Sequence, residues 1–277
     1  MTTPDSKYGR GQKLKESRIS TYAAKLDIPV MKPSNILCEN FIGQLKGLNA
    51  DIFVVVAYRI LPEEIFNIPA NGTINLHASL LPKYRGAAPI EHAIINNEVE
   101  SGVTTFKIQE KVDTGSIYFQ EKYKIKGKDY GQVSEKLSAI GAKLIIKTLD
   151  HISSKKVNPK RQEGLHSNAP KIISSRDCCI NFHLPALQII NTIRAFSPNR
   201  GAFTFINKKR VKIFKAKINE SLILPPGVVS CNAKRLYIGT SDYAISIIEI
   251  QYEGKMKMKI DDFINGNHQI KNVKSVG

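Results

Sequence analysis

Three polar residues in the first half of the chain have types suited to catalysis by proton transfer and hydrogen bonding. Asn75 and His77 lie two residues apart in the segment Thr73–His77, and Asp113 follows 36 residues after the histidine. Residues two apart on a strand point to the same face, so an amide donor and an imidazole would be presented together. A carboxylate near them can orient the imidazole or pass on its proton. The three residues predict an acid–base site.

Each of these residues also has an ordinary structural interpretation. An Asn at a strand end is usually a cap, a His there is usually just hydrogen-bonded, and Asp-Thr-Gly alone is most often a turn. The loop Ser79–Gly86 (SLLPKYRG) lies between the two groups. The combination of all these features favours the functional interpretation.

The elements that must position these residues have the pattern of an α/β domain. The continuous apolar run at 51–57 (DIFVVVA) predicts a strand buried on both faces, as in a parallel sheet. Ligands of open α/β sheets bind beyond the carboxyl ends of strands, where His77 and the loop after it would lie. Residues 1–20 are expected to be a loop. We expect further strands at 28–30, 73–77, 103–108 and 117–125, and helices at 20–25, 87–97 and 130–152.

The second half has a different pattern. Residues 153–176 are polar and basic and indicate a linker; a helix is expected over 184–196. Short strands are expected at 202–206, 210–218, 228–231, 235–238 and 244–250. Five short strands with Gly and Asn turns favour a small barrel or sandwich, and an OB-like barrel fits. The predicted domains are 1–158, a linker at 159–176, and 177–277.

Charge and composition narrow the functional class. The net charge is +17, and residues 151–277 carry 21 Lys and Arg against 8 Asp and Glu. This asymmetry favours a nucleic acid or another anionic surface as partner, although compositional drift would also raise the Lys content. Four Cys exclude a disulfide scaffold, and the His and Cys spacing predicts no metal. No apolar run is long enough for a bilayer and no signal peptide is evident, so we expect a cytoplasmic protein.

The segment Gly72–Gln120 resembles the methionyl-tRNA formyltransferase family. Asn-x-His, Ser-Leu-Leu-Pro and a later Asp-Thr-Gly form the signature of the formyltransferases that use 10-formyltetrahydrofolate. The longer form SLLPKYRGAAPI (79–90) is similar to the methionyl-tRNA enzymes or to sugar-nucleotide relatives. TTPDSKYGRGQKL (2–14) resembles the loop of this family that enters the tRNA acceptor stem. RAFSPNRGAFT (194–204) and PPGVV (225–229) are similar to landmarks of its C-terminal domain.

The resemblance implies a fold, a reaction and a partner. The fold would be α/β, a Rossmann-like formyltransferase domain with a mostly parallel sheet, followed by the OB-like β-barrel. Asn75, His77 and Asp113 would transfer the formyl group of 10-formyltetrahydrofolate to the α-amino group of initiator methionyl-tRNA, without a metal. We expect a monomer with no membrane partner. The residues implied for folate binding are Val54, Ala57, Tyr58, Ser79, Leu80, Leu81 and Pro82. The residues implied for tRNA binding are Arg10, Lys13, Lys15, Lys160, Arg161, Lys208, Lys209 and Arg210.

Two departures from the family keep alternatives open. Members usually begin with a strand, a helix and a second strand ahead of the TTPD segment, and this sequence opens at that segment, so its first domain looks N-terminally shortened. In addition, AYRILP (57–62) has Arg59 where many relatives have Gly, which affects the expected pterin pocket. The alternatives are a sugar-nucleotide N-formyltransferase and a truncated, inactive RNA-binding remnant.

Overall fold

The computed structural model describes residues 1–8, 13–156, 158–232, 234–266 and 273–276. The chain forms two compact units, each assembled from separate segments. The first unit comprises residues 1–77, 105–119 and 148–162. The second comprises residues 78–104, 120–147 and 163–277.

The described elements up to residue 153 include both strands and helices. They are β1 (Ser6–Tyr8), β2 (Lys13–Lys15), α1 (Arg18–Ala24), α2 (Glu39–Gly47), β3 (Phe53–Val56), α3 (Glu63–Phe66), β4 (Thr73–His77), α4 (Pro89–Ile95), β5 (Glu100–Lys107), β6 (Ile117–Lys124) and α5 (Tyr130–Ser153). The strands expected at 51–57, 73–77, 103–108 and 117–125 are confirmed, as are the helices at 20–25, 87–97 and 130–152.

The N-terminal segment differs from its prediction as a loop. β1 and β2 pair antiparallel, with Ser6 opposite Lys15. Two short strands that satisfy each other's backbone groups need no apolar periodicity, so the sequence pattern did not reveal them. α1 then begins after Ser17, whose side chain accepts a hydrogen bond from the Ser20 N–H at 3.0 Å.

The prediction of a strand at 28–30 is wrong. These residues are all described and form no strand. The Ile28 N–H donates to the Ala23 carbonyl at the end of α1, and Pro29 has no N–H to offer a neighbouring strand. The segment therefore pairs with no neighbouring strand among the described residues.

The core of the first unit forms where α2 and α3 pack with β3. Its buried side chains include Phe41, Leu45, Val55, Ile65 and Phe66. Phe41 and Leu45 are one helical turn apart and lie on the same face of α2. The sequence pattern does not predict this helix, which is short and follows Cys38, an N-cap residue without a side-chain cap.

The sheet that holds the predicted site has the strand order β3-β4-β5-β6. β3 and β4 are parallel, with Val55 opposite Asn75. The prediction that β3 is buried on both faces is wrong, because Val54 and Val56 are 39% and 53% exposed. Among the described residues β3 is an end strand of this sheet; Val55 is buried in the core and Phe53, on the same face, packs against it.

The remaining elements form an antiparallel sheet with helices. They are α6 (Ser174–Asp177), α7 (Ala186–Phe196), β7 (Ala202–Ile206), β8 (Lys209–Asn219), β9 (Val229–Cys231), β10 (Leu236–Gly239), β11 (Ala244–Tyr252), β12 (Met258–Lys259) and α8 (Ile260–Gly266). The order is β7-β8-β11-β10-β9, and β12 pairs with β11. This half-barrel confirms the OB-like fold class. The sequence analysis missed β12 and α8.

The segment predicted as a linker contains ordered contacts. Lys160 pairs with Ile117 within the first unit, and Asn168 pairs with Arg85 within the second. Among the described residues, no helix is long and apolar enough to cross a membrane.

Candidate active site

Two of the predicted catalytic side chains come from one strand. Asn75 and His77 lie at the carboxyl-terminal end of β4, two residues apart, so they share a face of the sheet. The backbone of β4 is fixed on one side by its parallel pairing with β3. At its start, the Thr73 hydroxyl donates to the Phe66 carbonyl at 2.7 Å. The strand is therefore a rigid support for the amide and the imidazole.

Asp113 reaches this strand through a returning loop. The Ile108 N–H donates to the Thr73 carbonyl at 2.8 Å, so the end of β5 lies beside the beginning of β4. The loop must then run back along β4 for Asp113 to approach His77. It closes where the Lys107 N–H donates to the Ser116 carbonyl at 2.9 Å. Sequence spacing does not reveal this reversal.

The imidazole and the carboxylate lie close together in a secluded position. His77 Nδ1 is 3.6 Å from Asp113 Oδ2, and their side chains are only 7% and 12% exposed. This distance is longer than a direct hydrogen bond, but it places the carboxylate where it can orient the imidazole. The structure therefore brings His77 and Asp113 together as predicted from the sequence.

Asn75 supplies a polar atom that has no partner within the described part of the chain. Its Oδ1 is fully buried and accepts no hydrogen bond from the described residues. A buried polar atom of this kind costs free energy unless a ligand or water satisfies it. This oxygen can only accept; the amide N–H of the same half-buried residue, on the strand face of His77, is the group that can donate to a substrate.

The backbone around Asp113 is strained and tightly packed. Asp113 has a φ of 53°, in the left-handed region that few non-glycine residues adopt. It occupies the third position of the turn Lys111–Thr114, in which the Thr114 hydroxyl donates to the Lys111 carbonyl at 2.9 Å. At Gly115 a Cβ would lie only 1.6 Å from the Lys107 carbonyl oxygen, so a side chain cannot be accommodated there.

Gln162 holds this loop from a distant part of the sequence. Its Nε2 donates to the carbonyl oxygens of Asp113 and Gly115, both at 2.8 Å. Two residues earlier, Lys160 forms a pair of backbone hydrogen bonds with Ile117, at 2.7 and 2.8 Å. The sequence analysis missed Gln162, since it lies in the segment interpreted as a linker, and no short-range motif marks it.

The predicted folate-binding loop is built inside the second unit by a buried hydroxyl. Thr104 on β5 donates to the Ser79 carbonyl at 2.7 Å and accepts from the Leu81 N–H at 3.2 Å. The Gln120 amide donates to the same hydroxyl at 2.9 Å and to the Leu81 carbonyl at 2.8 Å. The Leu81–Pro82 peptide bond is cis. The loop backbone is thus fixed by Thr104 and Gln120 together with its own Ser79 hydroxyl, which donates to the Lys83 carbonyl at 2.6 Å.

Tyr84 anchors the end of the same loop. Its hydroxyl donates to Glu98 at 2.8 Å and accepts from the Asn96 amide at 3.1 Å. Burial raises the pKa of this phenol to about 12, so Tyr84 remains neutral at physiological pH. The Tyr84 N–H also donates to the Ser167 hydroxyl at 2.9 Å.

The other residues predicted for folate binding follow β3 in the first unit. Val54 and Ala57 are exposed, and Ala57 has a φ of 49°. The Tyr58 hydroxyl is buried without a partner among the described residues. The Arg59 guanidinium lies 5.3 Å from the centre of the Tyr58 ring. Arg59, which departs from the family pattern, therefore packs on the side chain expected to contribute to the pterin pocket.

The residues predicted to bind tRNA fall in several parts of the fold. Lys15, Lys160, Arg161, Lys208 and Lys209 are exposed. Arg10 lies outside the described residues, and of Lys13 only the backbone is described.

A basic depression lies on β8 and β11 near Lys209. It is lined by Arg210, Lys212, Gln251, Tyr252, Glu253 and Gly254. The Arg210 guanidinium stacks 3.6 Å from the centre of the Phe203 ring, and Lys209 Nζ is 5.8 Å from that of Tyr252.

The described residues contain no cluster of three or more His, Cys, Asp or Glu that could hold a metal ion.

Comparisons with known proteins identify the family of the chain. The family profile described as "Formyl transferase" matches residues 1–149, and that of "Formyl transferase, C-terminal domain" matches residues 172–268. The methionyl-tRNA formyltransferase of Thermodesulfovibrio yellowstonii is 42% identical over 268 residues, which cover 96% of this chain and 86% of the relative. That of Caldanaerobacter subterraneus is 38% identical over 272 residues, covering 97% and 88%.

Solved structures share the fold at low sequence identity. A structure of WlaRD, a sugar 3N-formyl transferase with dTDP and 5-N-formyl-THF, has a TM-score of 0.64 at 22% identity, covering 91% of this chain and 86% of that one. HypX from Aquifex aeolicus with tetrahydrofolic acid has a TM-score of 0.64 at 18% identity, covering 83% and 41%. The methionyl-tRNA formyltransferase from Clostridium thermocellum has a TM-score of 0.56 at 17% identity, covering 83% and 92%. On the strength of both profiles and the full-length relatives, the chain belongs to the methionyl-tRNA formyltransferase family.

Proposed function

We propose that this chain transfers a formyl group from 10-formyltetrahydrofolate to the α-amino group of initiator methionyl-tRNA. The observation that carries the proposal is the arrangement on β4: the Asn75 amide shares a strand face with His77, whose imidazole lies 3.6 Å from the Asp113 carboxylate. Family membership supplies a formyl donor derived from folate and a tRNA acceptor. The finer identities, 10-formyltetrahydrofolate and the initiator tRNA, are part of the proposal.

The chemistry requires stabilisation of charge on the formyl oxygen. The amine nitrogen bonds to the formyl carbon, and this oxygen becomes an oxyanion until the bond between the carbon and N10 of the folate breaks. The Asn75 amide donates to the oxygen, and one such donor is worth roughly 3 kcal/mol. Because Asn75 lies on a rigid strand, little reorganisation is needed during the reaction.

Proton transfer is the role proposed for the imidazole. The attacking amine must lose a proton and N10 of the folate must gain one. His77 relays this proton, or donates to the same oxyanion. Asp113 holds the ring in one orientation and stabilises its protonated form. The seclusion of both side chains strengthens these interactions, since they are little screened by water.

Binding surfaces are assigned on the same basis. The residues proposed for folate binding are Ser79–Pro82 in the second unit and Val54, Ala57 and Tyr58 in the first. Exposed Lys and Arg side chains would contact tRNA phosphates, which position the RNA and make its binding dependent on salt. The proposed domains are 1–158 for catalysis and 177–277 for tRNA binding, with residues 159–176 between them, and the proposed state is a monomer.

The test is formylation of purified initiator methionyl-tRNA, with an amino-sugar nucleotide as the alternative acceptor. We expect activity on the tRNA, a loss of about 10²- to 10³-fold in kcat for Asn75→Ala, and unchanged tRNA affinity for this variant. Transfer only to the sugar nucleotide would favour a sugar-nucleotide formyltransferase. Salt-sensitive tRNA binding without transfer would indicate an inactive RNA-binding remnant. If Asn75→Ala also lost tRNA binding, the division of roles would be wrong.

A further inference from the structure

We propose that Gln162 is a positioning residue for the proposed reaction, acting through the Asp113 loop; this inference rests on the proposed function. Its side-chain amide is the only group described here that binds two carbonyl oxygens of this loop at once, those of Asp113 and Gly115. The neutral amide Nε2 carries two N–H donors. Both are used, one on each side of Thr114.

The loop needs such support because the backbone of Asp113 lies in the left-handed region. A non-glycine residue at a φ of 53° is held in a sparsely populated conformation that persists only where the surroundings determine it. The local turn contributes two contacts, both to the Lys111 carbonyl: from the Thr114 hydroxyl at 2.9 Å and from the Thr114 N–H at 3.4 Å. The Gln162 contacts fix the carbonyl of the strained residue itself, and therefore the direction in which the Asp113 carboxylate leaves the backbone.

The direction of that carboxylate matters because its contact with His77 is already at the edge of interaction distance. At 3.6 Å between Nδ1 and Oδ2, a further movement of about 1 Å would leave the imidazole without its orienting group. A displacement of this size at a catalytic group can cost about 100-fold in rate. Gln162 thus controls the chemistry without contacting the substrate.

Gln162 is itself held in place by backbone pairing. The reciprocal hydrogen bonds between Lys160 and Ile117 attach this segment to the first residue of β6. The segment therefore enters the first unit as a short clamp, and its side chain two residues later reaches the loop. The proposal makes part of the predicted linker a component of the active site.

The experiment compares Gln162→Met and Gln162→Glu with Glu163→Gln. Methionine keeps the length of the side chain but has no donor, and glutamate places acceptor oxygens against two carbonyls. Glu163 is the next residue and is exposed, so its variant is a matched control. We expect kcat to fall about 10- to 100-fold for both Gln162 variants, KM for both substrates to stay within about twofold, and the control to behave as wild type.

A double variant separates positioning from a general structural effect. If Gln162 acts through the carboxylate, Asp113→Asn combined with Gln162→Met should lose no more activity than Asp113→Asn alone. Additive losses, or a wild-type kcat for Gln162→Met, would overturn the inference. If Gln162→Met fails to fold, the same comparison is made with Gln162→Glu, and thermal unfolding identifies such a failure. An active Asp113→Asn would instead refute the role assigned to Asp113 under the proposed function.

Discussion

The hydroxyl of Thr104 is the most informative single group to remove. Thr104 is fully buried in β5, and its Oγ1 makes three hydrogen bonds, to the Ser79 carbonyl, the Leu81 N–H and the Gln120 amide. Thr104→Val replaces the hydroxyl by a methyl group of similar size and keeps a residue suited to a strand. The perturbation is therefore confined to hydrogen bonding in the loop Ser79–Pro82.

The expected loss of stability follows from these three bonds. Each contributes about 1 kcal/mol net, and a partner left buried without a replacement costs about 1–3 kcal/mol. The Gln120 amide keeps its bond to the Leu81 carbonyl at 2.8 Å, so its cost is at the lower end. We expect Thr104→Val to lower the free energy of unfolding by about 3 kcal/mol, a large fraction of what a domain has.

Urea unfolding with matched variants tests this value. Thr105→Val is the control, because the neighbouring Thr105 is equally buried but its hydroxyl makes one bond, to Thr148 Oγ1 at 2.8 Å. It should cost about 1 kcal/mol. KM for the formyl donor should rise several-fold in Thr104→Val only, because that loop is proposed to bind the folate.

Two results would contradict this reasoning. If Thr104→Val unfolds within about 0.5 kcal/mol of the wild type, or is no less stable than Thr105→Val, the network does not fix the loop. If stability falls as expected but KM for the donor is unchanged, the loop is fixed but does not bind the donor. A change in the m-value would show that the variant alters more than stability.

Three further variants probe other parts of the fold. Burial raises the pKa of Glu91, and the Arg200 guanidinium 3.9 Å away opposes this only in part. When the pKa of an acid is higher in the folded state, the protein loses stability as the pH rises through that pKa. Glu91→Gln should therefore unfold at a higher temperature than wild type at about pH 8 and at the same temperature near pH 4. Gly115→Ala should fold poorly or lose about 100-fold in kcat, measured by solubility and formylation, because its Cβ meets the Lys107 carbonyl. Lys209→Gln should lower the salt dependence of tRNA binding by about one unit of slope, measured by titration at several ionic strengths.

The placement of the proposed catalytic residues Asn75 and His77 on one face of β4 could be predicted because its signal is local. Two residues at a spacing of two on an apolar strand define a face by the geometry of the chain alone. The exposure of one face of β3 could not be predicted, because an apolar run fits a central strand and an end strand equally well. Only the sheet order shows that, within the described part of the chain, β3 pairs with β4 alone.

The placement of the loops is not predictable from local sequence, since it depends on side chains that bind backbone. Thr104 fixes the loop after β4 across more than 20 residues, and Gln162 fixes the Asp113 loop across nearly 50. Neither interaction depends on the identity of the loop side chains, because the partners are carbonyls and N–H groups that every loop presents. The loop motifs therefore carry the chemical groups, while their orientation is determined elsewhere in the chain. It follows that Gln162→Met should impair catalysis although every residue of the recognised signature is intact.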